Sequence, residues 1–315
     1  MQIIIDAVVT GLPLILSSMG IYLVFVMRRD FDLTVEASFT LGGATTAVLI
    51  AGGMPVPLAM LIAAAVAGLM GALTAALHVT LQIPIILAGL TVSIGFYTLN
   101  LRILGSPTVS LAGSNTIFTY TQATAPRASD LLTIALLAPA TVTVLAVLAV
   151  FLKTDLGLAL RSSGTNPLMA RSYGVNQTLA TVLSLVIANV LVGLSGSVVV
   201  QSQGFADINM GNGTLLAGIG AILLGEVIIR RPGPSVLRAI LAVLIGTIIY
   251  RLIISSALAM GLRASDLKAV TALTLIAVFS TRAAAGALLK QHSIRSYRRS
   301  RANLRRLPDK EHSNA

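Results

Sequence analysis

Apolar residues in this chain gather into long runs separated by short polar connections. A hydrocarbon layer ~30 Å thick takes about 20 apolar helical residues to cross, so each run of that length is a candidate span. Runs over 3–27, 56–80, 131–152, 179–200, 235–257 and 267–286 meet the requirement cleanly. Those over 33–53, 83–104 and 214–229 carry more glycine, more polar residues or fewer positions. The pattern predicts an all-α, polytopic integral membrane protein with about nine transmembrane helices. The first run does not read as a signal peptide. It lacks a basic leading region, Asp6 lies near its start, and it is too long for a signal's apolar stretch.

Lysine and arginine in the short connections orient the spans. Alternate connections hold Arg28 and Arg29, then Lys153, Arg161 and Arg171, then Arg230, Arg231 and Arg238, and Arg282 follows the last span. The opposite side holds Arg127, Arg263 and Lys268, with Arg102 and Arg251 inside or near spans. The bias places the N-terminus outside and the C-terminus inside, the parity that nine spans require. Residues 1–286 then form a transmembrane domain with a cytoplasmic loop at 153–178. Residues 287–315 form a basic cytoplasmic tail expected to be disordered. The outer side receives two polar connections, 105–130 and 201–213.

Composition narrows the class. Of 315 residues, 56% are hydrophobic and 10% charged, against about 25% charged in ordinary soluble domains. A cytosolic enzyme and a disordered chain are excluded, and with no cysteine so is a disulfide-stapled domain. The +11 net charge is concentrated at the end, where Lys290 to Lys310 include eight basic residues and the only acids beyond 286 are Asp309 and Glu311. Without interleaved aromatics the tail reads as a segment beside anionic lipid, not as a nucleic-acid arm.

Catalytic parts are missing. The three histidines (His78, His292, His312) are scattered, so neither a metal cluster nor a histidine triad can be assembled. No lysine follows a glycine, which removes the phosphate-cradling G-x-x-x-x-G-K-[ST] loop. ATP-driven transport would need a nucleotide site on another chain, with none and no cofactor in this one.

The 153–178 connection carries the most local information. Thr165 or Asn166 can cap a helix whose first position is Pro167, where a missing N–H costs nothing. Residues 168–173 would follow as about two turns, and Gly174 suits a left-handed stop. The helix presents Leu168, Met169 and Tyr173 beside Arg161 and Arg171, and the small Ala170 at its centre suits a tight contact. It either seals the loop at the interface or docks a cytoplasmic partner.

The stretch GLALRSSGTNPLMARSYGVN (157–176) resembles the coupling-helix segment of ABC importer permeases related to the branched-chain amino-acid and ribose types. FDLTVEASFTLGG (31–43) and QSQGFADINMGNGTLLAGIGAILLGEVII (201–229) are similar to a branch linked with tryptophan- or tyrosine-type uptake. The resemblance runs from residue 1 to about 286 and leaves out the basic tail. It implies a permease in a bacterial plasma (inner) membrane that pairs with itself or a related permease subunit. It also implies a dimeric cytoplasmic ATPase binding ATP and Mg, and an external solute-binding protein that delivers a small solute, an amino acid first and a sugar or nucleoside next. Arg161, Thr165, Asn166, Pro167, Leu168, Met169, Ala170, Arg171, Tyr173 and Gly174 are the positions it assigns to ATPase coupling.

Polar residues in or beside spans complete the candidate list. Asp32 and Glu36, four apart at the mouth of the second span, either pair with Arg28 or Arg29 or belong to an inner gate. Asn100 and Asn189 either face the pore or join helices. Asp207 either meets the binding protein or is a solvated loop acid, and Glu226 pairs most simply with Arg230. Two other function classes compete with the importer subunit. An ion-gradient secondary transporter would show broken spans with ionisable groups near the midplane, and a membrane-embedded enzyme lacks its parts.

Overall fold

The computed structural model describes residues 2–124, 128–229, 235–263 and 266–280. The chain divides into two compact units, Met1–Thr271 and Ala272–Ala315. Of the second, residues 272–280 are described, and they are helical. The basic tail at 287–315, Arg127, Arg230, Arg231 and Arg282 lie outside the described residues.

The described chain is all-α apart from one two-stranded pairing of three residues each. Seven of its described helices are long and apolar enough to cross a membrane: Ile3–Arg28, Thr34–Ala51, Val56–Leu81, Ile85–Leu104, Ser129–Phe151, Gln177–Gln203 and Val236–Ala259. Two further apolar helices, Thr214–Ile228 and Leu267–Ser280, are shorter. In chain order the elements are α1 (Gln2–Tyr22), α2 (Thr34–Ala51), α3 (Val56–Leu81), α4 (Ile85–Leu104), β1 (Thr108–Ser110), α5 (Ile117–Thr124), α6 (Ser129–Phe151), α7 (Asp155–Thr165), α8 (Pro167–Ser172), α9 (Gln177–Gln203), β2 (Phe205–Asp207), α10 (Thr214–Ile228) and α11 (Val236–Ala259). A π-helical stretch, Leu23–Arg28, continues α1 and stops where Arg29 turns left-handed at φ 64°. The strands pair antiparallel with Thr108 opposite Asp207, joining two connections that sequence patterning leaves as plain loops.

Helix α9 is the central post, packed against α1, α2 and α3. Small residues let backbones meet there, as expected where lipid removes any hydrophobic drive between helices. A Cβ on Gly42 would lie 2.2 Å from the Gly193 carbonyl oxygen, and one on Gly196 would lie 2.1 Å from that of Phe39. Buried hydroxyl pairs add polar ties, Thr46 to Ser197 at 2.7 Å and Thr34 to Thr74 at 2.8 Å.

The contacts fix the direction of each neighbour. Helix α1 runs antiparallel to α9, with Gly20 at Ala188 and Arg28 at Thr181. Helix α2 runs parallel to α9, with Gly42 at Gly193 and Thr46 at Ser197. It therefore starts half-way along α9 instead of at a membrane surface, and residues 29–33 lead the chain back into the bundle to reach that start. The expected span 33–53 is found as this helix, Thr34–Ala51, whose 18 residues rise about 27 Å from a buried beginning. After α9 the chain re-enters a second time. Ala206 and Ile208 pack with Ala44, Ile50, Leu104 and Val200 at the β1–β2 end, while Gly211 and Gly213 reach Thr40 and Glu36 deeper in. Helix α10 starts from there and runs for 15 residues.

The seam on α9 predicts asymmetric tolerance of glycine replacement. Gly42→Val should cost at least about 3 kcal/mol, since backbone and not a flexible side chain must move. Gly95→Ala meets nothing within 4 Å and should gain up to about 1 kcal/mol of helix propensity. Melting temperatures from fluorescence-detected size exclusion of the purified protein measure both.

Candidate functional site

The 153–178 connection folds as two helices rather than one. Thr154 caps α7 by accepting the Gly157 N–H, and Asn166 caps α8 by accepting the Met169 N–H at 3.0 Å. Thr165 ends α7 instead, its hydroxyl donating to the Arg161 carbonyl. Pro167 opens α8, Tyr173 closes it, and Gly174 takes φ +82°. The Val175 N–H donates to the Ala170 carbonyl at 3.0 Å, a left-handed helix stop.

This geometry presents Leu168 and Tyr173 at 82% and 78% exposure with Met169 beside them, while Ala170 is 4% exposed. Ala170 packs within the chain and leaves the outer face to its neighbours. The tight contact expected at Ala170 is already made within the chain, where its side chain is buried. Helices α7 and α8 flank a groove of about 710 Å³ bordered by Leu158, Arg161, Met169 and Tyr173.

Helix α7 is fastened to the end of α1. A Cβ on Gly164 would lie 1.8 Å from the Met27 carbonyl oxygen, so the backbones touch. Arg28 donates to the Ser163 hydroxyl on α7 at 2.9 Å, to the Thr181 hydroxyl on α9, and to the Asp30 carboxylate at 3.1 Å. Burial pushes the Asp30 carboxyl above its usual range, and the Arg28 guanidinium draws it part of the way back.

From Asp30 the chain enters the bundle. Asp32 is buried at 2% exposure. One carboxylate oxygen accepts the Thr34 N–H at 2.8 Å, and the other accepts Asn189 Nδ2 at 2.9 Å, half-way along α9. The Ser93 hydroxyl donates to the Leu33 carbonyl at 2.8 Å. Asp32 precedes α2, so it shares no helical face with Glu36, and the arginine that sequence reading offers both of them is held by Asp30. Glu36 accepts the Gly213 N–H at 2.9 Å, just ahead of α10. The starts of α2 and α10 are thus joined through the Glu36 carboxylate.

Residues 3–279 match the family described as the permease component of the branched-chain amino acid transport system. The chain belongs to that family. As a family member it is a permease, the membrane subunit of a branched-chain or sugar-type ABC transport system, a transporter rather than an enzyme, in a multi-pass inner-membrane setting. The permease is 31% identical to a tyrosine transport system permease protein of Clostridioides difficile, over 88% of this chain and 90% of the relative. It is 30% identical to an uncharacterized protein of Rickettsia prowazekii, over 89% and 98%. A galactofuranose transporter permease protein of Escherichia coli is 28% identical over 70% of this chain and 62% of its own length. No solved structure matches the permease.

The remaining candidates are dispersed. Asn100 donates to the Ala37 carbonyl at 3.4 Å and so ties α4 to α2, and Asn189 ties α9 to Asp32. Asp207 accepts from the Thr108 hydroxyl at 3.0 Å and the Asn209 N–H at 2.8 Å, bracing the β1–β2 pair. Glu226 is half-buried on α10, and its expected partner Arg230 lies outside the described residues. Sequence reading missed Arg28 as a structural clamp. Its position after the first span counts toward orientation, while its partners lie 135 and 153 residues away.

Removing that clamp should loosen α7 selectively. Arg28→Met deprives three partners of a charge-assisted donor and should cost about 1–3 kcal/mol. Hydrogen exchange of residues 155–165 should accelerate while α3 keeps its protection. Unchanged exchange in α7 would show that Arg28 is not what fastens it.

Proposed function

We propose that the permease forms the translocation pathway of an ATP-driven amino-acid importer, with a tyrosine-like solute delivered by an external binding protein. It works as a homodimer or with a related permease subunit. A separate cytoplasmic ATPase dimer binds ATP and Mg and docks on α8, and no nucleotide or cofactor binds this chain. The N-terminus lies outside and the C-terminus inside, with the basic tail beside membrane lipid. The relative named for tyrosine transport supports the substrate class. The one named for galactofuranose makes a sugar the second choice.

The observation that carries the coupling role is the exposed apolar face of α8 on a rigidly capped scaffold. Large hydrophobics at 82% and 78% exposure on a two-turn helix outside the spans fit a protein contact. Arg161 and Arg171 rim that face, and the α7–α8 groove lies next to it. Motion there would pass through α7 and Arg28 to the buried start of α2, where Asp32 and Glu36 sit. A rigid element is needed for this, because a flexible loop would absorb the ATPase's movement.

The two re-entrant segments also suit a secondary transporter, which uses broken helices and midplane acids. The two readings separate in reconstituted vesicles. Leu168→Glu and Tyr173→Ala should fold like wild type, since both side chains are exposed and such changes stay within about 0.5 kcal/mol. Both should lose the copurifying ATPase or raise the ATP hydrolysed per solute moved. Wild-type values for both variants would make α8 a loop seal, and uptake by this chain alone on a proton or sodium gradient would favour the secondary transporter. Topology has its own test: reporters active only in the cytoplasm should work when fused at residue 165 and stay silent at 115.

A further inference from the structure

A second cavity lies away from α8. It holds about 370 Å³ and is lined by α1, the start of α10, α11 and the first turn after residue 266. That volume falls within the ~300–1,000 Å³ range of small-molecule sites. Most of the wall is apolar, including Leu14, Leu216, Ala221 and Leu267. Two cationic side chains line it, Arg251 and Lys268, and among the described residues no acid does.

Three of the wall hydroxyls have already committed their protons. Ser17 donates to the Leu14 carbonyl, Thr247 to that of Val243, and Thr271 to that of Leu267. With the Thr271 proton used, Tyr250 is the donor in the 2.9 Å pair between them. Glu36 takes the Gly213 N–H ahead of α10, so that helix start already has its anion. The Arg251 stem rests on α1 where Gly11 has no side chain, 3.5 Å from where a Cβ would sit. Its Nε is buried without a hydrogen-bond partner among the described residues. Such groups are nearly always satisfied in folded proteins, and a guanidinium within a spanning helix is costly to keep.

We infer that this cavity is a binding site for the carboxylate of an organic acid with an apolar body, such as an aromatic amino acid. Arg251 grips the two oxygens with its planar fork, Lys268 adds charge, and the apolar wall takes the side chain. The inference rests on the amino-acid reading above and adds to it a place within the permease where the solute is read.

The test uses the full-length permease in phosphatidylcholine nanodiscs, which carry no anionic lipid to occupy an arginine. Labelled L-tyrosine is the probe, with 3-(4-hydroxyphenyl)propionate, which keeps the carboxylate, and tyramine, which lacks it, as competitors. Tyrosine and the propionate should compete comparably and tyramine should compete at least 10-fold more weakly. Arg251→Gln should weaken tyrosine binding roughly 10- to 100-fold, the loss of one charge-assisted contact, and Arg251→Lys should restore part of it. Wild-type affinity in Arg251→Gln overturns the inference, as does tyramine competing as well as tyrosine. So does a variant that dissociates an oligomer but still binds tyrosine normally, because Arg251 is then an assembly contact. Should Arg251→Gln fail to fold, the competitor series on wild type decides alone. ATP-dependent uptake by the complete importer tells the two readings apart. Tyrosine uptake with binding indifferent to Arg251 sinks only this inference, whereas uptake of a neutral sugar and no amino acid sinks the substrate reading and this inference with it.

Discussion

Inside a membrane every backbone N–H and C=O has to find its partner within the protein, and the organisation of this permease follows from how two non-helical segments meet that demand. Residues 29–33 and 205–213 both run back into the bundle. Asp32 accepts the Thr34 N–H, Ser93 donates to the Leu33 carbonyl, Thr40 accepts the Gly211 N–H, and Glu36 accepts the Gly213 N–H. Each of these side chains comes from, or leads into, a helix that touches the other re-entrant segment or the central post. Irregular backbone is tolerated because these groups within the protein take its N–H and C=O.

That arrangement depends on α9. Its small residues bring α2 to backbone distance, and its Asn189 supplies the amide that holds Asp32. The same contact sets how deep α2 begins. A continuous series of contacts then runs from the surface inward: α8 packs on α7, α7 touches the end of α1 at Gly164, Arg28 joins α7 to α9, and Asp32 lies four residues further along. These are packed and hydrogen-bonded contacts at separations a flexible linker would not keep. They give a physical route for motion at α8 to reach the buried helix starts.

The charges inside the bundle are treated unequally. Buried Asp32 and half-buried Glu36 and Asp207 each accept backbone or side-chain donors, which the buried one in particular requires. Arg28 is paired and shared among three partners. Arg251 differs in keeping a buried Nε without a partner beside an open cavity, and this contrast within one chain singles it out.

The sequence by itself determined the all-α, multi-spanning class, the absence of a phosphate loop, a cap at Thr165 or Asn166, the stop at Gly174 and the family. Those properties are local: they depend on run length, composition, or residues within a turn or two of each other. The depth at which α2 and α10 begin was decided only in three dimensions. An 18-residue apolar run reads the same whether it starts at a surface or half-way along a neighbour, and its partners lie more than 150 residues away. The same holds for Ala170, whose small side chain signals a tight contact but cannot say whether the contact is with a partner or within the chain. The grouping of Arg251 and Lys268 around one cavity also required the tertiary structure, because the packing of α1 and α10 against α11 supplies the rest of its wall.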